Sequence, residues 1–177
     1  MNKILFVSLF ALLSLKTAAA QQLARPEAPD KLTPPARETL ILKAHATGDQ
    51  IYVCKPALDF SQNLAWMLKE PDAQLFDAQN KLVAKHTAGP TWKHNDGSAV
   101  VGRVSARHDS PDADSIPWLL LSAASHSGDG VFSKVTFIQR LNTKNGQPPK
   151  SGCDEAHRNA ETKSTYSADY YFYAPSN

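Results

Sequence analysis

The stretch HTAGPTWKHNDGSAVVGR, residues 86–103, decides the fold class. Within it, Asp96-Gly97 lies between two β-prone runs, 91–94 and 99–104. Glycine adopts the positive φ angles that tight hairpin turns need, so this pattern predicts two antiparallel strands joined at residues 95–97.

The same alternation of short β-rich runs and turn residues continues on both sides of this hairpin. Gly48-Asp49 predicts a turn, Pro71 predicts a strand end, and residues 61–69 leave a helix as an alternative to a strand. The chain therefore predicts an all-β single domain, an antiparallel sandwich or barrel of about eight to ten short strands. The predicted strands are 40–46, 50–55, 64–69, 73–77, 81–85, 91–94, 99–104, 116–123, 131–143 and 166–173.

Two of these runs also predict which faces are covered. Residues 116–123 are almost uninterruptedly apolar, which indicates a strand with both faces buried. In 166–173, strand alternation places Tyr166, Ala168, Tyr170 and Phe172 on one face and the more amphipathic set with Tyr171 and Tyr173 on the other.

The two segments before the β-rich region have different compositions. Residues 1–20 have a basic start, an apolar run and the sequence Ala18-Ala19-Ala20, the pattern of a cleaved secretory signal peptide. Residues 21–38 contain four prolines and predict an extended, mobile lead-in whose end packs on the domain. The single β-domain is then 39–177.

Charge argues against several partners. The chain has 19 basic and 17 acidic residues, and removal of 1–20 takes away Lys3 and Lys16, leaving a balanced mature chain. Nucleic-acid binding depends on clustered Lys and Arg, so no nucleic-acid partner is expected. No segment after the signal is apolar enough to predict a membrane span.

The chain has two cysteines, Cys54 and Cys153. In an exported protein such a pair predicts one disulfide, with two buried thiols as the alternative. Neither lies in a C-x-x-C motif, which argues against a thioredoxin-like redox role.

Several blocks resemble one known family when taken together and in order. They are GDQIYVC (48–54), GPTW (89–92), DGSAVVG (96–102), IPWLLL (116–121), VTFIQRLNT (135–143), GCD (152–154) and YSADYYFY (166–173). This set resembles domain of unknown function 3455, a family of exported bacterial and fungal proteins. The resemblance implies no activity. Some fungal members carry a malate dehydrogenase label, but this chain has neither a G-x-G-x-x-G motif nor βαβ alternation to support it.

The opening stretch also contains candidate chemistry. If His86, His94 and Asp96 met at one end of the sheet, they could bind Zn²⁺ or Cu²⁺ or support a hydrolytic reaction. The alternative is structural: Asp96 builds the turn and Trp92 packs in the core. No cofactor is predicted apart from such a divalent metal, and no catalytic residue is assigned.

Aromatic residues and one arginine suggest a binding surface. Trp92, Tyr171 and Tyr173 could contact a sugar, a peptide or a small molecule. Arg140 lies inside a β-rich run and needs a partner, which leaves two interpretations: an ion pair with Asp169, or an anion-binding group in a pocket.

Two functions remain open from the sequence. The first is a non-enzymatic exported β-domain that binds a small molecule, a glycan or a protein, or that belongs to the cell envelope. The second is a metal-dependent or hydrolytic enzyme centred on His86, His94 and Asp96. Export predicts a periplasmic or extracellular location, and the lack of an N-x-[ST] sequon in residues 21–177 favours a bacterial source.

Overall fold

The computed structural model describes residues 23–58 and 63–176. The predicted signal peptide, 1–20, lies outside the described residues. Eight antiparallel strands form one sheet that closes into a barrel, with neighbours in chain order and the last strand paired with the first. The strands are β1 Glu38–Pro56, β2 Leu64–Phe76, β3 Leu82–Thr87, β4 Thr91–His94, β5 Ala99–His108, β6 Trp118–Ser127, β7 Phe137–Asn145 and β8 Glu161–Pro175.

The structure confirms the all-β prediction and selects the barrel over the sandwich. In the described ranges the only helical segments are two short 3₁₀ turns, Asp30–Leu32 and Glu155–His157. No helix there has the length and hydropathy needed to cross a bilayer. The β4–β5 hairpin turns at Asn95–Gly97, with Gly97 at φ 92°, as the sequence predicts.

Two predicted strand breaks are wrong. Residues 40–46 and 50–55 belong to one continuous strand, β1, which passes through Gly48 without a turn. Glycine is needed at position 48 for another reason: a Cβ there would lie 2.2 Å from the Asp72 carbonyl oxygen, so only glycine allows β1 and β2 to approach this closely. Pro71 lies inside β2, opposite Gln50 and next to the register shift at Ile51/Tyr52, where an irregular ladder tolerates proline.

Two further boundaries differ from the predictions. Residues 64–69 form a strand, not the alternative helix, because 64–68 pair with residues 52–56 of β1. The strand predicted at 131–143 begins only at Phe137, since residues 131–134 form turns that bring Phe132 and Val135 into the core.

The predicted alternation of the last strand is confirmed, and it defines the two sides of the barrel wall. Tyr166, Ala168, Tyr170 and Phe172 belong to the interior core, together with Trp92, Leu121 and Ile138 among others. Tyr171 and Tyr173 belong to a second cluster on the outside. The barrel thus has an interior core and one covered outer face.

The lead-in covers that outer face. The side chain of Leu32 is fully buried and packs with Leu40, Leu141 and Tyr173. Gln139 donates a hydrogen bond to the Leu32 carbonyl at 2.7 Å, and the Arg25 guanidinium lies 5.3 Å from the ring centre of Tyr173. Leu120 of β6 faces this cluster while Leu119 and Leu121 face inward, so both faces of the apolar β6 run are covered as predicted.

The predicted disulfide is present. Cys54 and Cys153 are bonded with a Cα–Cα distance of 5.3 Å, and no free cysteine exists in the chain. The bond ties β1 to the 146–160 loop across a sequence separation of 99 residues.

Candidate functional site

The barrel interior contains a cavity of about 500 Å³ that opens at one end. This volume falls in the range of small-molecule sites, and an eight-stranded barrel is just wide enough to hold one small ligand. Its wall is mainly apolar, including Trp92, Val104, Ile116, Pro117, Leu119 and Leu121.

Three rings form an aromatic wall in this cavity. His86 stacks on Trp92 with ring centres 4.2 Å apart and an angle of 4° between the planes. Tyr170 meets both rings edge-on, at 5.4 Å from His86 and 5.5 Å from Trp92. Gly102 makes room for this wall, because a Cβ there would lie 2.9 Å from Trp92 Cζ3. All three side chains are at most 3 % exposed, so the rings form the tightly packed inner wall of the cavity.

His86 is a neutral imidazole with a defined tautomer. It is 3 % exposed, and its Nδ1 donates to the Thr91 carbonyl at 3.0 Å, which leaves Nε2 as a free acceptor. Burial, with a smaller contribution from the nearby charge of Arg140, lowers the pKa of His86 from 6.5 to about 3. His86 therefore acts as a hydrogen-bond acceptor near neutral pH, not as a cation.

Arg140 supplies the positive charge of the interior. It lies on β7 between Leu119 of β6 and Tyr170 of β8, and it lines the cavity. Its Nε and Nη2 donate to the Pro117 carbonyl, at 3.2 and 2.9 Å. No carboxylate in the described ranges forms an ion pair with it.

The ion pair with Asp169 is absent because of strand alternation. Arg140 pairs with Tyr170 and Leu141 pairs with Asp169, so the two charged residues occupy neighbouring ladder positions that face opposite sides of the wall. The Asp169 carboxylate instead contacts His45 Nδ1 at 2.9 Å on the outside. The ion-pair interpretation of Arg140 is therefore wrong, and the anion-binding role stays a prediction from the sequence.

Other polar groups of the interior lie close to Arg140. Within the described part of the chain, the hydroxyls of Tyr166 and Tyr170 and the Gln50 amide nitrogen are buried and form no hydrogen bond of ordinary geometry, but Tyr166 interacts with Tyr170 and Gln50, and Tyr170 interacts with Arg140. Burial raises the pKa of both tyrosines, so they stay protonated, and the charge of Arg140 acts in the opposite direction. These groups and Arg140 therefore form one polar cluster in the barrel interior.

The tyrosine nearest the loop is different, since its hydroxyl is already used. Tyr52 donates to the Gly146 carbonyl at 2.6 Å, and burial raises its pKa to about 12. Together with the disulfide, this bond fixes the 146–160 loop, whose Gln147 lines the cavity.

The cavity mouth carries charges that are already paired. Lys69 Nζ lies 2.7 Å from Glu161 and 3.7 Å from Glu70, and Arg107 lies 3.9 Å from Asp109. Beside them, the apolar Leu68 and Val104 are 53 % and 52 % exposed. The entrance therefore combines neutralised charge with exposed apolar surface.

His94 and Asp96 lie together at the β4–β5 hairpin. His94 Nδ1 is 3.0 Å from Asp96 Oδ2, whereas His86 is held by Trp92 and Thr91. Asp96 accepts hydrogen bonds from the Ser98 hydroxyl at 2.6 Å and the Val131 N–H at 2.8 Å, and these bonds hold its pKa well below its usual range.

These contacts give Asp96 a structural role that joins the hairpin to the turn at residues 128–134. Among the described residues, no group of three His, Cys, Asp or Glu side chains is arranged to hold a metal ion. The metal-dependent or hydrolytic role for His86, His94 and Asp96 stays a prediction from the sequence.

The other sequence candidates divide between the two sides of the wall. Trp92 and Arg140 line the cavity, whereas Tyr171 and Tyr173 pack outside, under the lead-in. Tyr170 was not predicted as a site residue, although alternation placed it on one face with Tyr166, Ala168 and Phe172. The sequence pattern does not show that the sheet closes into a barrel, and only this closure places that face around a cavity.

Comparison with known proteins places the chain in a family without giving it an activity. No curated protein and no solved structure matches it. The family model described as protein of unknown function (DUF3455) matches residues 35–174, from the end of the lead-in almost to the end of β8. This match spans the whole barrel, and the chain therefore belongs to the DUF3455 family.

Proposed function

We propose that this chain is an exported, non-enzymatic binding protein that holds one small, largely apolar molecule inside its barrel. The observation that carries the proposal is the cavity of about 500 Å³ behind an apolar mouth, with a few polar groups among aromatic and aliphatic side chains. Small-molecule sites combine these features: apolar walls for affinity and a few placed polar groups for orientation.

The proposed export is supported by two features. Residues 1–20 have the pattern of a signal peptide, and the chain carries a disulfide, which persists in oxidising compartments such as the periplasm or the extracellular space. A binding protein in that location would take its ligand from outside the cytosol.

The test uses a neutral fluorescent probe, N-phenyl-1-naphthylamine, titrated into the purified oxidised protein. We expect saturable fluorescence enhancement with a roughly micromolar Kd, which corresponds to about 8 kcal/mol. Leu119→Trp fills the cavity and should abolish saturable binding. Ser125→Trp adds the same side chain at an exposed position of β6 that does not line the cavity, and it should bind as the unmodified chain does.

Two results would count against the proposal. One is the absence of saturable binding to the unmodified protein. The other is equal binding by the Leu119→Trp and Ser125→Trp variants when both have native circular dichroism, since this would place the probe outside the barrel.

A further inference from the structure

On the basis of this binding function, we propose that the ligand is a compact aromatic carboxylic acid whose carboxylate pairs with Arg140 while its ring packs against the His86–Trp92 wall. This goes beyond the proposed function in naming the chemical class of the ligand. Three features support this ligand class: the charge of Arg140, its free guanidinium N–H groups and the composition of the cavity wall.

The cations that line the cavity differ in their neighbours. Lys69 and Arg107 at the mouth each have an acidic neighbour, whereas the guanidinium of Arg140 contacts neutral groups, the Pro117 carbonyl and the Tyr170 hydroxyl. A carbonyl supplies hydrogen-bond acceptors but no countercharge. A cation held in an apolar cavity is costly without an anion, so the ligand is the natural source of the missing negative charge.

The geometry favours a carboxylate. Nε and Nη2 of Arg140 are engaged by Pro117, which leaves the remaining guanidinium N–H groups for a ligand oxygen. The neighbouring Tyr170 hydroxyl is buried and interacts with the Arg140 side chain, so it helps to hold the guanidinium in place. Planar groups with two acceptor oxygens match donors placed in this way.

The cavity wall favours an aromatic ring as the rest of the ligand. The stacked His86–Trp92 pair and the edge of Tyr170 form the packed aromatic part of the cavity wall, and Leu119 and Leu121 form an aliphatic part. Because His86 is neutral, its Nε2 accepts and does not supply a second positive charge. A flat ring with a single carboxylate satisfies this arrangement better than a dianion or a sugar.

The experiment compares 1-naphthoate with its neutral amide, 1-naphthamide, by displacement of the neutral naphthylamine probe near pH 7. A charged hydrogen bond of this kind predicts a preference for the acid of about 10- to 100-fold in the unmodified protein. Arg140→Gln should remove the preference while the neutral probe still binds, which also shows that the variant is folded. Arg107→Gln, which removes a paired charge at the mouth, should keep the preference.

If Arg140→Gln does not fold, the double variant Lys69→Gln/Arg107→Gln tests instead whether Arg140 causes the preference for the acid. It removes the other two lining cations, so an undiminished preference supports Arg140 and a lost preference overturns the assignment. Equal binding of acid and amide to the unmodified protein would overturn the ligand class and leave the binding function standing. Failure of the neutral probe itself would instead overturn the binding function.

Discussion

Burial of the His86 imidazole makes the stability of the folded protein depend on pH. It is buried against Trp92 and donates to Thr91, and burial lowers its pKa from 6.5 to about 3. Below pH 6.5 the unfolded chain binds a proton at His86 that the folded chain does not. The folded state therefore loses stability relative to the unfolded state as the pH falls from 6.5 toward 3.

We expect His86→Phe to reduce this pH dependence. The phenyl ring keeps the contact with Trp92 but does not titrate, so the unfolding free energy should fall less between pH 7 and pH 5 than in the unmodified protein. The expected difference between the two proteins is about 1–2 kcal/mol. Urea denaturation at the two pH values measures it, and parallel losses in both proteins would contradict the assignment of His86 as a buried neutral group.

At the scale of elements, the lead-in is a structural part of the barrel. Leu32 fills a site on the outer face formed with Leu40, Leu141 and Tyr173. This contact explains why the proline-rich lead-in is ordered next to the barrel. The 3₁₀ turn at Asp30–Leu32 directs the Leu32 side chain into the outer cluster.

Leu32→Ala should lower the free energy of unfolding by about 2–5 kcal/mol, the usual cost of removing a buried leucine side chain. The same substitution at Leu23, which is 46 % exposed, should change it by no more than about 0.5 kcal/mol. Urea denaturation measures both values, and limited trypsin digestion should show faster cleavage after Lys31 in the Leu32 variant. Equal stability of the two variants would contradict the docking of the lead-in.

The strands show what local pattern can and cannot predict. Asp96-Gly97 and the alternation in 166–173 predict the hairpin and the two faces of β8 because turn chemistry and side-chain direction are local properties. The continuity of β1 through Gly48 and of β2 through Pro71 depends on how the two strands pack against each other. Their boundaries were therefore wrong although their strand character was right.

At the scale of the molecule, closure of the barrel determines the site. The pairing of β1 with β8 joins the two ends of the domain, a long-range contact that no local pattern specifies. Arg140 was a candidate from its charge alone, but its place inside a cavity and the outward position of Asp169 follow only from the closed sheet. The same closure moves Tyr171 and Tyr173 to the outside.

The disulfide stabilises the molecule by joining positions 99 residues apart in sequence. We expect reduction, or the Cys54→Ser/Cys153→Ser double variant, to lower the free energy of unfolding by about 2–4 kcal/mol. Urea denaturation with and without reductant measures the loss. Thiol titration of the untreated protein in denaturant should find no free thiol, and two thiols per chain would contradict the bond.

A crystal structure of the oxidised protein with 1-naphthoate would show whether the barrel interior binds an aromatic carboxylate. We expect one naphthoate inside the barrel, with its ring against the His86–Trp92 pair and its carboxylate within hydrogen-bonding distance of Arg140. Naphthoate bound only on the outer surface, with the interior unoccupied in crystals grown at saturating ligand, would contradict it.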